Sequence, residues 1–331
     1  MAIFIDILDK PDGILKMQSK PIPYLGGFAI WSGFMITSII FLHTHVHEYA
    51  FFLYGSIVLL IVGLLDDIYS FKPYQKFCGQ IIAAFIFLKG GLCFKEQFLL
   101  TCNTSLSIFI WKFVSFGWIL SIVNAYNLVD VMDGLASSLA ICSSAFLLLC
   151  AWWVHASSVA LLLAIFLGAV AAFFYYNKPA ASIYLGDAGS LFIGGFLATM
   201  SFMIPWGTFS VFGFCAPIAA QAIPLLEVLT LIIIRKYKKI PFYRGSPDHF
   251  SSYFQRAGWR KWMILGYCSF VAIMGNIVAF LFFINIISFS LFILIGMLYA
   301  LAWYIVLFFA CNRNLLLFSK KTEKATSIFK I

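Results

Sequence analysis

Residues 157–176 read SSVALLLAIFLGAVAAFFYY, twenty positions without a charged side chain. At about 1.5 Å per residue a helix of that length crosses the roughly 30 Å hydrocarbon layer of a bilayer. A surface helix of a soluble protein keeps a polar face for water, and this run has none. Working outward in both directions, the same signature recurs: apolar runs occupy 25–43, 49–65, 77–94, 108–126, 135–154, 157–176, 189–205, 208–234, 262–284 and 287–310. Of 331 residues, 63% are apolar and 11% are charged, with a mean hydropathy of +0.99. A soluble domain is about one-quarter charged. The fold class is therefore an all-α polytopic membrane protein with about ten transmembrane helices. Residues 1–311 make one transmembrane domain and 312–331 a basic cytoplasmic tail.

An even number of spans puts both termini on one side. Cytoplasmic loops carry the excess of Lys and Arg. With residues 1–24 inside, the inner segments hold Lys10, Lys16, Lys20, Lys72, Lys76, Lys178, eight basic residues from Arg235 to Lys261 and five from Arg313 onward, 19 of the 22. Asp66, Asp67, Asp130, Asp133, Asp187 and Asp248 fall on the same side. The net charge of +9 thus marks sidedness and a phosphate-handling surface; no clustered nucleic-acid motif accompanies it. The first 24 residues do not read as a cleaved signal peptide, and the eight cysteines contain no C-x-x-C pair.

Four inner segments, 66–76, 124–134, 177–188 and 235–261, gather the chemistry. Asp66 and Asp67 in GLLDDIYSFKPYQK end a span, where they meet the negative end of the helix dipole and each other. A bound cation or the nearby Lys76 resolves that conflict. In NAYNLVDVMDG, Asn124, Asn127, Asp130 and Asp133 recur every three residues and so share a helix face. Such a stripe of oxygens suits Mg²⁺ or a ribose and base edge, while Asp133 alone could cap the helix that starts near Leu135. NKPAASIYLGDAGS places Asn177 and Asp187 before a span, with Gly189 and Ser190 small enough for phosphate oxygens to approach helix-terminal amides. Taken alone, that last pattern is also a common cap. The basic loop RKYKKIPFYRGSPDHFSSYFQRAGWRK offers Arg244 and His249, flanking a Pro-containing turn, as a pyrophosphate clamp. A transporter would place ionisable groups near the bilayer midplane between repeats; here they collect at one face and no internal repeat is visible.

Together these segments resemble the polyprenyl-phosphate N-acetylhexosamine-1-phosphate transferase family, which includes the first membrane enzymes of peptidoglycan, O-antigen and teichoic-acid assembly. DKPDGILKMQSKPIPYLGG, LLDDIYSFKPYQKFCGQ, NAYNLVDVMDGLA and NKPAASIYLGDAGSLFIGG resemble the family's motifs in the family's order. PLLE and SPDHFSSYFQRAG stand where it carries P-L-x-D and a histidine-rich loop. The resemblance implies transfer of a sugar 1-phosphate from a UDP-N-acetylhexosamine, UDP-GlcNAc or a derivative, to a polyprenyl phosphate at the inner face of a bacterial cytoplasmic membrane. It implies that Asp187 and Asn127 hold Mg²⁺, with Mn²⁺ as a substitute, and that Asp66 acts on the lipid phosphate as base or nucleophile. Asp67, Asp130, Lys76 and Asn177 would support nucleotide and diphosphate, and Asp133 would face the uracil. A homodimer is compatible with it. Three departures stand out: Ser251 and Ser252 replace later histidines of the loop, Met17 occupies a histidine position, and the sequence opens almost at the first motif, where family members usually carry a further span, so that either ten spans or a truncated start is expected. The serine replacements motivate a competing expectation, a relative that has lost catalysis and binds lipid or nucleotide sugar, or transports; the retained aspartates argue against it.

Overall fold

The computed structural model describes residues 8–9, 21–42, 49–94, 105–209, 212–241 and 247–328. Its helices are α1 (Gly26–Leu42), α2 (Ala50–Tyr69), α3 (Pro73–Lys89), α4 (Ser105–Val129), α5 (Leu135–Trp153), α6 (Ser157–Asn177) and α7 (Gly186–Met203). They are followed by α8 (Ala216–Ala220), α9 (Ala222–Tyr237), α10 (Phe250–Arg256), α11 (Lys261–Phe283) and α12 (Phe289–Ile328). The one sheet among the described residues is a two-residue antiparallel bridge, Leu8–Asp9 with Ile22–Pro23. The all-helical membrane class stands. Each of the ten apolar runs lies on a helix or helix pair, but the count of ten spans is not reached. Among the described residues seven helices are long and apolar enough to cross, or eight if the bent pair α8–α9 is one span. The apolar runs near α1 and α3 run past the helix ends, and at 17 residues each these helices reach only about 25 Å. Helix α12 continues into the basic segment as far as Ile328.

Helix α7 is the axis of the bundle, buried from Ala188 to Phe202. Lipid tails are as apolar as leucine, so helices associate here through close packing of small residues. A Cβ on Gly63 would lie 2.3 Å from the Ala188 backbone, and one on Gly27 2.0 Å from the Gly189 amide nitrogen. Only hydrogen at those positions lets α2 and α1 touch α7 backbone to backbone. Below that contact Phe34, Phe52, Phe166, Phe192 and Phe196 interlock, with Phe166 and Phe196 stacked at 3.8 Å and Phe34 edge-on to Phe196 at 5.2 Å. Each such pair adds about 0.5–1.5 kcal/mol beyond area burial.

The run at 208–234 breaks: α8 and α9 meet at 69°. Pro224 has no N–H to give the Ala220 carbonyl one turn back, and Ser143 Oγ donates to that carbonyl instead, at 2.8 Å. Tyr126 OH donates to Gln221 Oε1 at the break, 2.9 Å away. Freed backbone inside a membrane protein is tolerated where neighbouring hydroxyls satisfy it in this way.

Candidate active site

Four helix ends converge at the start of α7: the C-termini of α2 and α4 and the N-termini of α3 and α7. Helix α2 stops at Ser70, which is left-handed at φ 51, and Pro73 opens α3 three residues later with the Lys72 amide donating to Gln75 Oε1 at 2.9 Å. This tight turn brings Lys76, in the first turn of α3, back against Asp66. One turn deeper, Asn124 Nδ2 donates to Gln80 Oε1 at 2.7 Å. Because 76 and 80, and 124 and 127, share helix faces, that amide pair registers Lys76 with Asn127.

The resulting cluster has a simple logic. Asp66, 8% exposed, accepts the Phe71 amide on Oδ1 at 2.6 Å and pairs through Oδ2 with Lys76 Nζ at 2.6 Å. Asp187 accepts Asn127 Nδ2 on Oδ1 at 2.5 Å, and its Oδ2 pairs closely with the same ammonium. Asn127 also donates to Ser190 Oγ at 3.0 Å and accepts from Lys76 on Oδ1 at 3.4 Å. Lys76, one of the two expected counter-charges for the carboxylates at the end of α2, thus lies against Asp66.

Asp67 has a different task. The amides of Asp187 and Ala188 donate to its Oδ1 and Oδ2 at 2.8 and 3.2 Å, so it caps α7 from another helix and answers the positive end of that helix's dipole. Gly186, at φ 70, is needed for this approach: a Cβ there would be strained and 2.6 Å from Asp67 Oδ2. The phosphate-approach reading of Gly189 and Ser190 is therefore corrected. Two amides of the α7 terminus are consumed by Asp67, Gly189 packs against Gly27 and Leu185, and Ser190 accepts from Asn127.

The remaining residues separate. Asp130, just beyond α4, donates its amide to the Tyr126 carbonyl at 3.2 Å, while burial, then the charges of Asp187, Asp67 and Asp133, push its carboxyl well above the usual carboxylate range. Asp133 accepts from Lys261 Nζ at 2.8 Å. It does not cap α5, whose N-cap is Gly134 at φ 76 without a side-chain cap bond. Asn177 is turned inward: its Oδ1 accepts the Gly134 amide and Ser137 Oγ, and its Nδ2 donates to the Ile183 carbonyl, all within 3.1 Å. It ties the end of α6 to the start of α5 through these three bonds. His249 lies in a second cluster, its Nδ1 2.7 Å from Oε1 of the fully buried Glu227. The Phe250 amide donates to Oε2 of the same carboxylate at 3.3 Å. Arg244 lies outside the described residues. Sequence reasoning placed Glu227 within PLLE and missed its partner, and it missed the Tyr126–Ser143–Gln221 network, for which Pro224 was the available signal.

Among the described residues no three His, Cys, Asp or Glu side chains form a metal cage. Mg²⁺ does not need one, since it is held by one or two carboxylates with waters and substrate phosphates. Asp66 Oδ2, Asp187 Oδ2 and Asn127 Oδ1, three hard oxygens around one cation position, fit that requirement.

Fold and site together define a polytopic helical membrane protein with an acid–amide–lysine centre where four helix ends meet, suited to a charged, phosphate-bearing substrate. The model of glycosyl transferase family 4 matches residues 49–204, the stretch from α2 to α7 that carries Asp66, Lys76, Asn127 and Asp187. The chain is 28% identical over 255 residues to a probable undecaprenyl-phosphate N-acetylglucosaminyl 1-phosphate transferase of Bacillus subtilis, covering 75% of this chain and 70% of that protein. It is also 28% identical over 270 residues to a phospho-N-acetylmuramoyl-pentapeptide-transferase of Staphylococcus epidermidis, covering 75% and 81%. The corresponding enzyme of Enterococcus faecalis is 28% identical over 259 residues, covering 73% and 78%. The family resemblance read from the motifs is borne out.

Proposed function

We propose that this chain transfers a sugar 1-phosphate from a UDP-N-acetylhexosamine to a polyprenyl phosphate, releasing UMP, on the cytoplasmic face of a bacterial inner membrane. The observation that carries this is the convergence of Asp66, Lys76, Asn127 and Asp187 at one layer of helix ends, where a lipid phosphate and a soluble nucleotide can meet. In the reaction an oxygen of the lipid phosphate forms a bond to the sugar-bearing phosphorus of the donor, and the bond from that phosphorus to the UMP oxygen breaks. Such transfers depend on positioning and charge neutralisation more than on covalent work by the protein.

Asp66, anchored through Oδ1, directs Oδ2 at the incoming phosphate and holds or accepts its proton. Lys76 neutralises the diphosphate, with Arg244 and His249 on the loop as further contacts. Asp187 and Asn127 would hold Mg²⁺, or Mn²⁺ in its place, which supplies charge neutralisation to the diphosphate when bound. Asp67 serves by fixing the α7 terminus and hence Asp187. Asp133 and Asp130 face the nucleotide. The polyprenyl acceptor reaches the site from the surrounding bilayer.

The test is incubation of purified protein with radiolabelled UDP-N-acetylhexosamines, undecaprenyl phosphate and Mg²⁺, followed by lipid extraction. A lipid-linked sugar diphosphate is expected with at least one donor. No product with any donor of the panel, together with no exchange of UMP into donor, overturns the reading.

A further inference from the structure

Lys76 occupies a position whose surroundings are built for something other than a permanent salt bridge. Each oxygen it touches belongs to a group whose other atom is anchored elsewhere: Asp66 Oδ1 on the Phe71 amide, Asp187 Oδ1 on Asn127, and Asn127 Nδ2 on Asp187 and Ser190. The inward-facing three, Asp66 Oδ2, Asp187 Oδ2 and Asn127 Oδ1, all converge on one ammonium. An ammonium has three N–H donors and no acceptor, so three oxygens saturate it. Withdrawing Lys76 would leave those oxygens converging on one point, because their sister atoms keep the side chains from following.

We propose that Lys76 is an internal cation that competes with the divalent metal for these three oxygens, and that the donor's diphosphate releases it. This rests on the transferase reading and adds to it an order of loading. Metal alone meets a site already neutralised by Lys76. A diphosphate offers the ammonium a second set of anionic oxygens, and the flexible four-carbon stem of lysine lets it change partners from the same backbone position. Metal and nucleotide therefore bind as a pair, and neither binds well first. The coupling is reciprocal, as any coupling between two ligands must be.

The experiment measures Mn²⁺ binding by its magnetic resonance signal, with and without UDP, and with no lipid acceptor, so that no transfer is involved. In the wild-type protein UDP is expected to tighten Mn²⁺ binding about tenfold, and Mn²⁺ to tighten UDP equally. Lys76→Met should bind Mn²⁺ alone about tenfold more tightly than wild type and lose most of the coupling. Lys72→Met removes the same charge from an exposed side chain four residues away and should change neither quantity. If Lys76→Met does not fold, Lys76→Gln serves in the same comparison. Unaltered Mn²⁺ affinity and undiminished coupling in the Lys76 variant overturn the proposal, and so does an equal gain in Lys72→Met, which would show a general charge effect. Failure of the lipid-product assay with the coupling intact would instead remove only the transferase reading, and product formation without coupling only this one.

Discussion

The chain holds buried carboxylates in two ways. At the α7 end, Asp66 and Asp187 each keep one oxygen tied to the protein and present the other to the Lys76 ammonium. At the α9–α10 junction, Glu227 spends both oxygens on fixed groups, the His249 ring and the Phe250 amide. Around Glu227 the aromatic rings of Phe250 and Phe254 close against Trp303 at 4.9 and 6.2 Å, clamping α10 onto α12. The first arrangement can exchange partners without rebuilding its frame; the second can only stay or come apart. A charge buried for chemistry and a charge buried for architecture differ less in their depth than in whether one oxygen is left over.

The largest effect should follow from removing the exchangeable oxygens. Asp187→Ala is expected to lower lipid-linked product formation by about 10³-fold, while thermal unfolding barely moves, because the α7 amides are held by Asp67 rather than by Asp187. Retained activity in this variant would break the assignment of the α7 end as the reacting centre. Glu227→Ala should show the opposite signature. It leaves the His249 nitrogen and the Phe250 amide unpaired in a closed environment, and breaking a buried pair of that kind costs about 3 kcal/mol. Denaturant unfolding in detergent would measure it; a variant as stable as wild type would place Glu227 outside the architecture.

Next in size is the frame itself. Gly63→Ala puts a methyl 2.3 Å from the Ala188 backbone, and since backbone cannot yield as a side chain does, the expected cost is about 2 kcal/mol. Activity should fall as well, because Gly63 lies one turn below Asp66 and Asp67 and any parting of α2 from α7 separates them from Asp187. Ser143→Ala removes the hydroxyl that serves the Ala220 carbonyl at the helix break, for about 1 kcal/mol, with the transfer rate preserved. Equal activity losses in both variants would erase the distinction between the α7 contact and the α8–α9 break.

These contrasts also mark how far the sequence alone could be read. Apolar runs decide membrane helices almost without tertiary information, and all ten coincided with helical segments. The nearness of Lys76 to the Asp66–Asp67 pair in sequence and the three-residue stripe from Asn124 are local features, so Lys76 against Asp66 was foreseeable. Asp67 was not: its partners lie 120 and 121 residues away, and nothing in a D-D pair says which member will cap a distant helix and which will face a substrate. Asn177 looked available for the same reason, since an amide before a span gives no sign that a neighbouring loop will consume it. The bend at Gln221 hid inside a continuous apolar run because its cause, Pro224, acts on a carbonyl four residues back whose substitute donor comes from another helix.

The smallest predicted effect tests a residue that belongs to neither arrangement. Asp133 is bonded to Lys261 alone, and Lys261 is 45% exposed, so water screens the pair and Lys261→Met should alter unfolding by less than about 1 kcal/mol. Asp133 nevertheless lies close enough to Asp130 to repel it, and Asp130 also meets the charges of Asp187 and Asp67. Without the Lys261 tether the Asp133 carboxylate is less well held, and the apparent KM for the nucleotide sugar should rise by about threefold with kcat unchanged, the size that an exposed pair's energy allows. Asp133→Asn should raise KM at least as much. If both variants leave KM where it was, the carboxylate does not meet the nucleotide, and the uracil must be sought nearer the His249 loop, beside a cluster that does not exchange partners.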